Sequence, residues 1–214
     1  MTLTPPRPRG RPKDEAKREA LLDAAQVLFL ERGVDVTTGE VAAAAGVARA
    51  TLYANFKDKE ELIEAVIRRE SEQVIADELV LIRQGSTFAQ VLRNFGIKYV
   101  HFVNQTAVAG WDRLIAHSAK RTPQLPQRFY EAGPGRWNRL LMQLLSTGVS
   151  QGCLRPLNPA QAAEDLTALW MGGTSLEVKL GVGEPMSDAG ILAKVDHGLE
   201  VFYAFYAIER ADTQ

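Results

Sequence analysis

The chain has 214 residues, 46% hydrophobic and 24% charged, with a net charge of −1, an ordinary balance for a globular protein with a real core and not that of a polycation. No run approaches the roughly 18–20 apolar residues that a membrane span needs. The single Cys153 allows no internal disulfide framework and suits a reducing compartment.

Residues 1–13 carry Pro5, Pro6, Pro8, Pro12 and Gly10, and are expected to form a flexible arm. Prolines and arginines stand where a secretory signal has its apolar segment, which points to a cytoplasmic protein. Arg7, Arg9, Arg11 and Lys13 precede the first acid, Asp14. A basic arm on a near-neutral body suits nucleic acid or an anionic surface, and short basic tails are also often merely solvated.

A helical pattern begins near Asp14, with Leu21, Ala25, Leu28 and Phe29 on one stripe and Gly33 as its stop. Thr37-Thr38-Gly39-Glu40 has the form of a capping box. It opens a short second helix through Val41, Ala42 and Ala45 to Gly46. A third helix is expected over Ala48–Asn55, and Asp58 caps a long fourth one reaching Gly85. Beyond it the punctuation predicts helices over Thr87–Gln105, Ala107–Lys120, Leu125–Gly152, Pro159–Leu180 and Asp188–Arg210, with Gly133, Pro134 and Gly135 as a point of interruption. No useful alternating pattern exists, so the fold class expected is all-α.

The most informative stretch is Thr37–Leu62, TTGEVAAAAGVARATLYANFKDKEEL. A helix-turn-helix needs two short helices crossing steeply through a tight turn. Small Ala42 permits close approach, Gly46 supplies backbone freedom, and Val41, Ala45, Val47 and Leu52 pin the pair to the first helix. The second helix of the pair is then free to enter the major groove of DNA.

Thr37-Thr38, Ala45-Gly46-Val47, Thr51-Leu52-Tyr53 and Phe56-Lys57-Asp58-Lys59-Glu60-Glu61-Leu62 resemble, at their fixed offsets, the signature of the tetracycline-repressor (TetR/AcrR) family. The resemblance implies a three-helix DNA-binding domain, residues 14–57, joined to a helical effector-binding and dimerisation domain, residues 58–214. It implies a ligand-relieved repressor that binds a palindromic operator in double-stranded DNA as a homodimer. A body that binds a protein partner, or an activator, remains the alternative.

Carried over by position, the resemblance assigns Arg49 and Ala50 to base edges at the head of the recognition helix, with Arg49 suited to bidentate pairing with guanine, and counts Thr51 among the DNA contacts. Tyr53 is assigned a phosphate and a thymine methyl, and Thr38, Asn55, Lys57 and Lys59 the duplex backbone. Two departures stand out: Ala48 and Ala50 where relatives carry Ser and Gly or Pro, and Asn55 where His is common. Both leave the operator sequence open. Arg9-Gly10-Arg11-Pro12 resembles the core of an AT-hook, which lies in narrow A·T minor groove. A solubilising tail is the other reading.

The resemblance also implies a small hydrophobic or amphipathic effector, unidentified, and a dimer through the last two helices. Phe95, Tyr99, Phe102 and Trp111 are candidate pocket walls, as are Trp137, Met142, Trp170 and Met171. By spacing each is more often a core residue than a pocket wall, and His101 and His117 read as surface or satisfied histidines. Leu166, Leu169, Trp170 and Gly173 form one candidate dimer face. Leu192, Val195, Leu199, Phe202 and Phe205 form the other, and both faces also fit a monomer core. Cys153 is expected to be a plain buried thiol. No phosphate loop, metal-binding pair or nucleophile elbow is present, so neither cofactor, metal nor enzymatic activity is expected.

Overall fold

A computed structural model describes residues 11–33, 35–83 and 86–208. Among the described residues eleven helices run in the order α1 Arg11–Arg32, α2 Thr38–Ala44, α3 Arg49–Asn55, α4 Lys59–Arg83, α5 Phe88–Val103, α6 Thr106–Ser118, α7 Leu125–Ala132, α8 Pro134–Ser150, α9 Pro159–Met171, α10 Thr174–Leu180 and α11 Asp188–Tyr206. Among the described residues there is no strand, only an isolated bridge between Leu154 and Ala207. No helix among them is long and apolar enough to cross a membrane. The chain divides into two compact units, Met1–Ile67 and Arg68–Gln214, with the division inside α4.

In the first unit α1, α2 and α3 pack against one another. Leu21, Leu22, Ala25 and Phe29 of α1 are buried, as are Val41 and Ala42 of α2 and Leu52 of α3. Helix α1 starts at Arg11 and not at Asp14; Pro12 is tolerated because the first-turn amide has no helical acceptor to lose. Arg9 lies outside the described residues, as do Gly85 and Arg210.

The second unit is built around α9, which packs against α8 and α11, while α5 lies along α11. Its core gathers Leu92, Phe95, Leu145, Leu166, Trp170 and Phe202. Close approach to Trp170 is made possible by two glycines. A Cβ at Gly96 would stand 2.6 Å from the indole, and one at Gly198 2.7 Å.

Two expected helices are each divided. Leu125–Gly152 becomes α7 and α8, parted at Gly133, because Pro134 brings no amide and opens the new helix at its first position. Pro159–Leu180 becomes α9 and α10. Gly172, at φ 53° and ψ −158°, holds a backbone shape essentially reserved to glycine. Lys179 of α10 then pairs with Asp112 of α6 at 2.9 Å, and Arg113 donates to the Lys179 carbonyl at 2.8 Å.

Cys153 is exposed, contrary to the expectation of a buried thiol. Gly152, at φ 68°, turns the chain out of α8, and the Cys153 amide donates to the Gly148 carbonyl at 2.9 Å. Leu154, the next residue, takes the buried place.

Candidate nucleic-acid interface and effector cavity

The first unit presents α3 through a tightly specified turn. Gly46 stands at φ 65°, and the Val47 amide donates to the Ala42 carbonyl at 3.0 Å while the Gly46 amide donates to Ala43 at 3.1 Å. This pairing closes α2 in the manner of a glycine-ended helix and aims the chain directly into α3. At the other end of α2 the capping box is complete. Thr37 donates its amide and hydroxyl to Glu40 at 2.8 Å each, and the Glu40 amide donates to the Thr37 hydroxyl at 3.3 Å. The bond from the Thr37 amide, helped by the Arg32 guanidinium, holds the Glu40 carboxyl at a pKa of about 2.

One face of α3 is buried through Leu52, and the other is open. Arg49, Ala50 and Tyr53 are exposed, the tyrosine by 51%. The Tyr53 hydroxyl is 3.0 Å from that of Thr38, so the two helices share a polar point at the surface. That bond, with the nearby Arg49 guanidinium, lowers the phenol pKa below its ordinary value. Arg49 lies against the start of α2, where a Cβ on Gly39 would be 3.4 Å from its Nε.

The remaining expected contacts are less uniform. Asn55 is half-buried and donates its amide to the Thr51 carbonyl at 2.8 Å. Lys57 is exposed and Lys59 half-buried. Ala48 caps α3 with no side-chain hydrogen bond, the direct consequence of lacking a hydroxyl there.

A cavity of about 500 Å³ opens in the second unit among α5, α7, α8 and α9. Of the residues named as candidate pocket walls, Phe95, Tyr99, Trp137 and Met171 line it. Phe102, Trp111, Met142 and Trp170 do not. Phe102 stacks on Trp137 at 5.9 Å, and Met142 is packed against the core. Trp111 is buried within α6, and Trp170 is enclosed between α5 and α11. Tyr130, Asn138, Glu164 and Thr167 belong to the wall and escaped sequence reasoning. The available signal was the helical spacing of Glu164, Thr167 and Met171 along α9.

Residues 21–66 match the tetR family of bacterial regulatory proteins. Residues 90–208, more than half of the chain, match the C-terminal domain of AefR-like transcriptional repressors. The chain belongs to the TetR family. It is a DNA-binding transcriptional repressor of that family, with the helix-turn-helix in its first unit.

Among relatives, this TetR-family chain is 28% identical over 144 residues to the transcriptional repressor KstR2 of Mycolicibacterium smegmatis, covering 66% of this chain and 69% of that one. It is 47% identical to the repressor BepR of Brucella suis over 53 residues, 24% of this chain and 25% of BepR. Among solved structures, the flavonoid-responsive regulator FrrA is 30% identical with a TM-score of 0.72, over 91% of this chain and 99% of FrrA. A TetR-family regulator from Mesorhizobium loti shares the fold at a TM-score of 0.78, with 24% identity over 92% and 99% of the two chains.

The residues of the expected dimer faces are unevenly exposed in this TetR-family chain. Leu166, Trp170, Val195, Leu199 and Phe202 are buried within the single chain. Within the chain α9 packs against α8 and α11, and α11 against α5. Leu169 is half-buried, Gly173 exposed, and Phe205 61% exposed. Leu169 and Phe205 share a groove with Val201, which sequence reasoning had not singled out. Leu192 is exposed too, but it lies about two and a half helical turns from Val201 and so on the other side of α11.

Proposed function

We propose that this TetR-family repressor binds a palindromic operator as a homodimer and releases it when a small molecule fills the 500 Å³ cavity of the second unit. The observation that carries the reading is the exposed Arg49–Tyr53 face of α3, held by a buried Leu52 and tied to α2 through Thr38. Arg49 and Ala50 meet base edges, and Thr38, Thr51, Tyr53, Lys57 and Lys59 meet the duplex backbone. Asn55 spends one amide hydrogen on Thr51 and keeps a second for phosphate. Arg9 and Arg11 extend the contact into the adjacent minor groove.

A two-fold protein suits a two-fold operator, whose half-sites stand about 34–36 Å apart. The outward groove of Leu169, Val201 and Phe205 supports the last helices as the dimer surface. An aromatic-walled cavity supports a small-molecule effector, and FrrA, similar over nearly its whole length, is described as flavonoid-responsive. The effector must prefer the protein geometry that does not fit the operator, since only differential affinity shifts a population.

In-vitro selection from random duplex DNA tests the reading, with the double variant Arg49→Ala, Tyr53→Ala as control. Enrichment of a palindrome by the wild type alone supports it. Folded protein that enriches nothing at low salt overturns it.

A further inference from the structure

From the chemistry of the cavity wall we infer the class of effector: an uncharged, hydroxylated aromatic molecule, with carboxylates selected against. This inference rests on the proposal that the cavity is the effector site. Three observations carry it, and all concern the wall itself.

The first is charge. Among the described lining residues there is no Lys, Arg or His, and the one ionisable acid is Glu164. Glu164 is exposed on α9 and makes no ion pair with any described residue. An anionic ligand would meet a like charge here and find no counter-ion. Leaving water without a partner is costly for a carboxylate.

The second is shape. The rings of Phe95 and Tyr99 are parallel to within 8°, with centroids 6.3 Å apart. Trp137 stands edge-on to both, at 5.3 and 5.5 Å. Phe95 and Trp137 are themselves buried and form a fixed floor, so the half-buried ring of Tyr99 is the aromatic surface left for a ligand ring to meet.

The third is the Tyr99 hydroxyl. No described residue hydrogen-bonds it, and burial, aided by Asp112, pushes its pKa up to about 12. It stays a neutral hydroxyl at physiological pH, able both to donate and to accept. Asn138 and Thr167 add amide and hydroxyl groups to the same wall. A phenol or aryl carbonyl satisfies these groups with no charge introduced.

Isothermal titration of the purified full chain, without DNA, tests the class with four probes. Naringenin and 2-naphthol are uncharged aromatics, 2-naphthoate matches the naphthol ring with a carboxylate, and decanoate is an aliphatic anion. The expected result is binding of the first two, with naphthoate at least about tenfold weaker than naphthol. Tyr99→Phe should weaken naringenin about two- to tenfold, the range of one hydrogen bond. Glu164→Gln should narrow the gap between naphthoate and naphthol without closing it, because the like charge goes while the wall still offers no counter-ion. Naphthoate binding as tightly as naphthol, decanoate binding best, or no binding by either uncharged probe overturns the inference. Operator release is measured separately on the same samples. Naringenin that binds without releasing DNA overturns the regulatory reading and leaves the ligand class standing.

Discussion

The hydroxyls of Thr38 and Tyr53 meet at 3.0 Å, joining the first turn of α2 to the exposed side of α3. One hydroxyl spends its proton on the other, which keeps its own free, so a phosphate oxygen can join the pair without breaking it. Tyr53 is 51% exposed, and its hydroxyl therefore contributes little to folding. Tyr53→Phe should leave the melting temperature nearly unchanged while removing a bond to a charged group, worth about 1.5–3 kcal/mol. Operator affinity should fall about 10- to 100-fold. A titration showing unchanged affinity would exclude the hydroxyl from the interface.

Gly46 carries the geometry of the turn. Its φ of 65° lies in the left-handed region, and a Cβ there would meet nothing within 4 Å. Gly46→Ala should therefore cost only the backbone term, about 1–2 kcal/mol. Urea unfolding of the two proteins measures it. A loss well beyond that range would mean that side-chain crowding, and not backbone strain, governs the position.

The turn was legible in the sequence because its cause is local: one glycine, flanking alanines and a capping threonine decide it. The same holds for the capping box at Thr37 and Glu40. Trp170 shows the opposite case. Its spacing on α9 fits a pocket wall, a dimer face or a core equally well, and what decides is the absence of side chains at Gly96 and Gly198, on two distant helices. Glu164 was missed for a related reason: a charged residue on a helix looks solvated until three other helices enclose a space beside it. Cys153 misled because cysteine is usually buried, whereas here the turn at Gly152 awards the interior to Leu154.

Acid should loosen the first unit through Glu40. Its pKa of about 2 lies below the ordinary 4.5, so the ionised form favours the folded state. The stabilisation is complete above pH 4.5 and is lost as the pH falls toward 2. Glu40→Gln keeps an acceptor for the Thr37 amide but removes the charge. The variant should melt below the wild type at neutral pH, and the gap should close across that acid window. A gap independent of pH would assign the effect to lost hydrogen-bond geometry instead of charge.

The contact of Gly96 with Trp170 predicts a paired rescue. Gly96→Ala places a methyl 2.6 Å from the indole and 2.9 Å from Val195, a crowding worth about 1–3 kcal/mol. Trp170→Phe removes the crowding ring atoms but leaves a void of its own. The double variant should be more stable than the sum of the two losses predicts, because each change relieves the other. Strict additivity in urea unfolding would show that α5 shifts bodily to accept the methyl.

Phe205 tests the dimer. It is 61% exposed, and the Arg155 guanidinium lies over its ring at 4.0 Å, so one face of the aromatic is covered within the chain and the rest is free. Val201, one turn earlier, is 41% exposed and shares its groove with Leu169. If a second copy covers this groove, Phe205→Arg buries a second guanidinium beside that of Arg155 at the interface, a cost of several kcal/mol that a standard interface does not absorb. Light scattering should then report a monomer at concentrations where the wild type is dimeric. Operator affinity should fall with it, because each monomer reads only a half-site. The fold of a single chain should survive, since Phe205 lies outside the buried core that holds Phe202 and Trp170. A variant that remains dimeric with full affinity would move the interface elsewhere, with the exposed side chains of α10, Leu176 and Leu180, next in line.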